Sequence, residues 1–220
     1  MKTNNTFFKQ ITKLGLLLMM ALSMSACSKT SSWKEEVLLH DGSKMIVERS
    51  QRYGGAHEFL TQSSSVTEHT ATFTLPNSNE KISWTSEFSE DIGRTNFNLL
   101  AVHVLKGKAY LVTEPNGYLS YNKWGRPNPP YIFFKYVGKS WKQIPLSEFP
   151  IEFKTFNLIA NTTRRHDVEE ATSKSGYVSA SDVSEINSSL VQPQYQTILR
   201  VPIPGLGRPD SSNSGPKAPD

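Results

Sequence analysis

The chain carries a single cysteine, Cys27, in 220 residues. No intrachain disulfide can form, so packing and hydrogen bonds alone must hold the fold. It also lacks an apolar run of the roughly 20 residues that a spanning helix needs. Its longest apolar stretch runs only from Leu14 to Met24. An excess of charge of either sign is nearly missing once the first 26 residues are set aside. Those residues hold Lys2, Lys9 and Lys13 and no acid, and the remainder holds 21 basic against 20 acidic residues. A near-neutral chain has no global basic field for nucleic acid, and no nucleic-acid partner is assigned. Familiar catalytic signatures are absent as well: there is no Gly-x-Ser-x-Gly elbow, no Gly-x-x-x-x-Gly-Lys phosphate loop and no His-Glu-x-x-His. No catalytic residue, cofactor or metal is assigned.

What is present begins at the N-terminus. Three lysines, the apolar run and the small residues Ser25 and Ala26 lead directly to Cys27. A basic start, a short apolar core and small residues before a cleavage point describe a secretory signal. Met24-Ser25-Ala26-Cys27 resembles the lipobox of bacterial lipoproteins, with Met where Leu is commoner. That resemblance implies cleavage between Ala26 and Cys27, a diacylglyceryl thioether on the Cys27 sulfur and an acylated new amino terminus. Several acyl chains hold a protein to a bilayer, whereas one does so only marginally. The expected partner is therefore the membrane, through the acyl chains on Cys27. Ser28, rather than Asp, after the cysteine favours the outer membrane if the source is Gram-negative.

Downstream, the pattern is that of strands. Trp33–Leu39 and Met45–Arg49 flank Asp41-Gly42 and read as a hairpin, with Val37 and Leu39 sharing a face with Trp33. Arg52–Glu58 reads as a turn-rich connection. His69–Leu75 alternates Ala71, Phe73 and Leu75 with threonines, as a half-buried strand does, and Ile82 and Trp84 continue the alternation after a turn. Phe97–Leu105 is apolar on both faces and reads as a central strand. Ala109–Thr113, Tyr131–Tyr136 and Trp141–Ile144 follow as strands, and Ile151–Ile159 reads as the last one. A strand–Gly-Lys–strand pattern across Asn98–Pro145 is similar to one kelch-type blade. Only one copy is present, which favours a plain meander. Arg164–Lys174 reads as a weak helix. Ser179–Leu190 reads as a capped helix with Val183, Ile186 and Leu190 on one stripe.

Three places offer chemistry. His57 and Glu58 follow Gly54-Gly55 and could form an acid–base pair, although neighbours on a strand point to opposite sides. His166, Asp167, Glu169 and Glu170 carry metal donors, but on a helix His166 and Glu170 face together while Asp167 points elsewhere, so a solvated helix is the simpler account. The loop Glu114–Pro130, rich in Pro, Gly and Asn, interleaves aromatic and polar side chains. Tyr118, Tyr121, Trp124, Arg126 and Tyr131 in and beside it are the candidate partner-binding residues, since flat rings beside amide and guanidinium donors suit sugars, peptides or a protein surface. Alternatively, the same rings fold over a sheet edge and cover it. His103, within an apolar strand, reads as a hydrogen-bonded core residue.

The opening Trp33-Lys-Glu-Glu-Val, Asp41-Gly42, Ile46-Val-Glu-Arg49 and Gly54-Gly55, with Trp141–Pro150, resembles a family of uncharacterised, largely proteobacterial lipoproteins over roughly residues 33–150. The likeness implies an envelope location and brings no catalytic residues. The chain is thus expected to be mainly β, an antiparallel meander or sandwich with a small C-terminal helical segment and a disordered tail. Its parts are a signal peptide over 1–26, a lipidated tether over 27–32, a β domain over 33–160, a partly helical extension over 161–201 and a flexible tail over 202–220. The expected function is that of a lipid-anchored module binding an envelope protein or cell-wall partner. The alternatives are an envelope hydrolase and a structural accessory of an envelope complex.

Overall fold

The computed structural model describes residues 29–57, 64–160 and 165–206. Ala26, Cys27 and Glu58 lie outside them. Two four-stranded antiparallel sheets face each other, so the β fold is a sandwich built from two meanders. The first sheet holds β1 (Lys29–Leu38), β2 (Lys44–His57), β3 (Ser64–Thr74) and β4 (Lys81–Ser86) in sequence order. A short ribbon, β5 (Phe88–Ser89) and β6 (Arg94–Thr95), leads across to β7 (Phe97–Leu105), β8 (Lys108–Pro115), β9 (Ile132–Val137) and β10 (Ser140–Ile144). Gly42 turns β1 into β2 at φ +82°, where the Asp41 carboxylate accepts from the Ser43 amide. Period-two alternation then does the sorting. Val37, Val47, Phe73, Ile82 and Trp84 meet Phe97, Leu99, Val102 and Leu111 of the other sheet in one buried cluster. Thr70 and Thr72 stay on the outer face beside Thr85 and Ser83.

The second sheet is covered on its other face too. The chain from 146 to 160, entered through a 3-10 turn at Leu146–Glu148, lays Phe149 and Phe153 over Tyr110 and Phe133. The Phe153 ring stacks on His103 at 4.4 Å and 9°. Ile151–Ile159 is therefore not a strand: its backbone runs over the sheet instead of extending it. Nor is β7 central. It is an edge strand, apolar on both faces because both are packed. Its edge is closed chiefly by Asn157, whose Oδ1 accepts from Val102 N (3.0 Å) and whose Nδ2 donates to Val102 O (2.8 Å), with Leu158 N donating to Leu100 O (3.3 Å) beside it. The same amide donates to Leu38 O of β1 at 3.1 Å, which joins the two sheets.

The helical part is α1 (Gly117–Lys123), α2 (Arg165–Ser175), α3 (Ala180–Asn187) and α4 (Pro193–Gln196). Ser179 caps α3 in a reciprocal box with Asp182, and Val183 and Ile186 are buried with Trp33, Val168 and Ala171. The outer edge of β1 is closed by Val178, whose amide donates to Lys34 O and whose carbonyl accepts from Glu36 N, both at 2.8 Å. Docked chain continues to Leu206, because the Asn128 amide bonds the backbone of Ile203 and Leu206.

Two corrections bear on orientation. Ordered strand begins at Lys29, paired with Tyr53, so residues 29–32 are part of the sheet and not a tether. Residues 52–57 continue β2 and are not a turn. Four hairpin turns, at 39–43, 75–80, 105–108 and 137–140, gather at one end of the sandwich. The opposite end holds Lys29, the ribbon and α1, and there Phe97 N donates to Ser86 Oγ across the two sheets.

Candidate functional site

On the inner face of the first sheet the pattern changes along the strands. Near the hairpin turns it is apolar, with Val37, Met45, Val47 and Phe73. Toward the Lys29 end the same inward positions carry Trp33, Glu35, Arg49, Gln51 and His69, all buried. Register sets Trp33 opposite Arg49 and Gln51 opposite His69. Glu35, 0% exposed, accepts from Trp33 Nε1 (2.6 Å), Arg49 Nη1 (2.9 Å) and Ile159 N (2.9 Å). Arg49 Nη1 also reaches Ile159 O at 2.9 Å, and its guanidinium lies over the Trp33 ring at 5.2 Å. The carboxylate and the guanidinium thus neutralise each other out of water.

Not every polar atom of this row is satisfied. Arg49 Nη2, Gln51 Nε2 and His69 Nδ1 are buried without a protein hydrogen-bond partner. Gln51 Oε1 accepts from the Tyr53 hydroxyl at 2.8 Å. Burial, with the nearby Arg49 charge, pushes His69 down to about 3, which leaves its ring neutral at physiological pH. Beside the row, between β1–β2 and α2, lies a cleft of about 270 Å³ lined by Ser31, Trp33, Gln51, Tyr53, Val168 and Thr172. Thr172 Oγ1, on the α2 side, is buried and unpartnered as well. Unsatisfied buried donors are costly and normally find partners. Glu169 adds a carboxylate to the lining, so two aromatic side chains beside an amide and a hydroxyl make a surface for a small acceptor-bearing group that is not an anion.

The candidates read from sequence are distributed differently. The loop after β8 folds in part into α1, which exposes Tyr118 (65%) and Leu119 (56%). Tyr121 is half-buried, its hydroxyl without a partner and raised by burial. Trp124 packs on Phe97 at 4.6 Å and donates from Nε1 to Asn96 Oδ1 at 3.3 Å. Arg126 Nε donates to Asn122 Oδ1 at 2.8 Å. Tyr131 is 3% exposed, and its hydroxyl donates to Gln194 O at 2.7 Å. Covering the sheet is therefore the work of Trp124 and Tyr131, and Tyr118 is the aromatic side chain of this group that faces solvent.

His57 closes β2 opposite Ser64, and its side chain lies outside the described residues, as does Glu58. His166 is exposed at the start of α2, and Glu170 pairs with Lys174 at 2.9 Å. Among the described residues no three His, Cys, Asp or Glu side chains gather as a metal site. His103 is a core residue, with Nε2 3.0 Å from Thr155 O and burial pushing it down to about 4. The buried row escaped sequence reasoning, yet its signal was there: Glu35 lies between Trp33 and Val37, and Arg49 follows Val47, all on the inward parity. Comparison with models of known protein families, with curated proteins and with solved structures finds no match.

Proposed function

We propose that the chain is a lipid-anchored envelope protein whose sandwich binds a neutral glycan of the envelope in the cleft between β1–β2 and α2. One observation carries the binding reading: Gln51 and Thr172 are lining residues of that cleft, beside Trp33 and Tyr53, and Gln51 Nε2 and Thr172 Oγ1 are buried behind its surface without protein partners. An amide and a hydroxyl can bond a sugar's acetamido carbonyl or ring hydroxyls while an aromatic side chain packs on its apolar face. The Glu35–Arg49 pair, the neutral His69 and the Glu169 carboxylate on the lining disfavour an anionic ligand. The anchor reading is supported by the run from Leu14 to Cys27.

Tryptophan fluorescence titration of the mature Cys27→Ser chain with N-acetylglucosamine oligomers tests the binding. Saturable quenching is expected, weakened at least tenfold in Gln51→Leu and in Thr172→Val while both keep the parent's thermal midpoint. Binding equal to the parent's in both variants, or none in the parent, would sink the cleft reading. Cleavage of the oligomer would instead support a hydrolase and send attention to His57 and Glu58. The anchor has its own test: Cys27→Ser should abolish lipid labelling, and labelling that survives overturns it.

A further inference from the structure

The distance between anchor and fold is set by very little chain. Lys29 is already hydrogen-bonded sheet, in register with Tyr53, and only Ser28 separates it from Cys27. Two extended residues span at most about 7 Å. A lipid on the Cys27 sulfur therefore brings the Lys29 end of the sandwich against the headgroups. The partner strand makes the approach closer still. From Gly54 to His57, β2 runs four residues past the level of Lys29, or about 13 Å of strand.

The surface that shares this end suits a bilayer. α1 lies between the descending β8 and the ascending β9, so it sits at the same end as Lys29. Its two most exposed side chains are Tyr118 and Leu119, adjacent and uncharged. From residue 115 to residue 147 the chain contains no acid, and of the two cations after α1's aromatic residues Lys123 is paired with Asp91 of the ribbon at 2.9 Å, which leaves Arg126 as the cationic neighbour. Aromatic and apolar side chains with cationic neighbours are the composition of a membrane interface. The ribbon beside α1 has the opposite character, with Glu87, Glu90 and Asp91 exposed. Of the two, α1 is the surface suited to lipid, beside the projecting end of β2.

We propose that the sandwich rests on the bilayer through α1, with Tyr118 and Leu119 at the level of the lipid headgroups and the four hairpin turns pointing away. This rests on the anchor reading of Cys27, and it goes beyond it by fixing which surface meets lipid. The occupant is a phospholipid surface, because so short a connection leaves little room for a protein between this end and the membrane.

The test uses the full-length protein in its own cell envelope. A photo-crosslinking amino acid is placed at Tyr118, at Leu119 and, at the far end, at Lys139, which turns β9 into β10. Adducts are identified by mass spectrometry, and intact mass reports the lipid on Cys27. Phospholipid adducts at 118 and 119 at least tenfold above those at 139 are expected. Equal lipid labelling at both ends, or a protein adduct at 118 and 119, overturns the placement while leaving a lipidated Cys27 intact. Absence of a lipid mass on Cys27 overturns the anchor and the placement with it.

Discussion

The buried pair of Glu35 and Arg49 makes the sharpest demand on the fold. Removing Glu35 as Glu35→Leu strands the Arg49 guanidinium with a single carbonyl, Ile159 O, and leaves Trp33 Nε1 and Ile159 N without their acceptor. Breaking a buried pair from one side costs about 3–5 kcal/mol, and two orphaned donors put this variant at the upper end. Arg49→Met leaves the carboxylate two of its three donors, so about 3 kcal/mol is expected. Glu35→Leu/Arg49→Met removes both charges together. It should cost no more than the worse single variant, a coupling of about 3 kcal/mol. Urea unfolding of the mature Cys27→Ser chain, followed by tryptophan fluorescence, measures all four corners of the cycle. The slope must stay constant, so that midpoints report stability alone. Additive losses, or single variants within about 1 kcal/mol of the parent, would refute the claim that this pair is desolvated and mutually dependent.

Two further outcomes follow from side chains in the core. Asn157→Ala leaves both Val102 N and Val102 O unpaired at the β7 edge, and a loss of about 2–4 kcal/mol in urea unfolding is expected; a loss below about 0.5 kcal/mol would mean that the edge is closed in another way. His69 and His103 are pushed down to about 3 and about 4 by burial, against an ordinary value of 6.5. The folded state then binds fewer protons than the unfolded one, so this stabilisation is complete above pH 6.5 and is lost as pH falls toward the folded values. Each contributes a slope of about 1.4 kcal/mol per pH unit in that window. His69→Leu should flatten the profile between pH 6.5 and 5, and a parent profile already flat there contradicts the burial argument.

Much of the sandwich was legible because its strands alternate. His69–Leu75 shows its buried face in Ala71, Phe73 and Leu75, and Asp41-Gly42 marks the turn that fixes the first hairpin. The box of Ser179 and Asp182 announced α3. The misses share a cause: tertiary contacts decided them. Phe97–Leu105 reads as central because both faces are apolar, yet its second face is covered by Phe149 and Phe153 of the following chain and it has a strand on one side alone. Asn157 supplies a strand's hydrogen bonds from a side chain, which no pattern of backbone propensity encodes. Ile151–Ile159 has β-prone residues, but its chain crosses the face of the second sheet and meets the β7 edge only through Asn157 and the Leu158 amide. α1 forms with no side-chain cap at Asn116, and it is held instead by Ser120 Oγ donating to Asn96 O and by Lys123 bonding Ser89 and Asp91.

Anchor and cleft constrain each other through the register of β1. Ser31 and Trp33, which line the cleft, stand two and four residues above Lys29, and Cys27 is two below it. At about 3.3 Å per residue, the cleft lies within about 20 Å of the Cys27 sulfur, the proposed site of the lipid. Under the proposed anchor, a protein held that close cannot sample ligands deep in the envelope, as a long flexible linker would allow. The glycan sought for the cleft is then one displayed at the membrane surface, such as the sugar of a glycolipid, in preference to a polymer strand held away from it. Lengthening the chain between Cys27 and Lys29 separates these cases. Inserting a Gly/Ser linker of ten residues raises the reach by roughly 18 Å on a root-mean-square basis. Capture of a membrane-borne saccharide should weaken in that variant, while binding of a free oligomer in solution stays unchanged. Equal capture with and without the insertion would show that proximity to the bilayer plays no part in how the cleft finds its ligand.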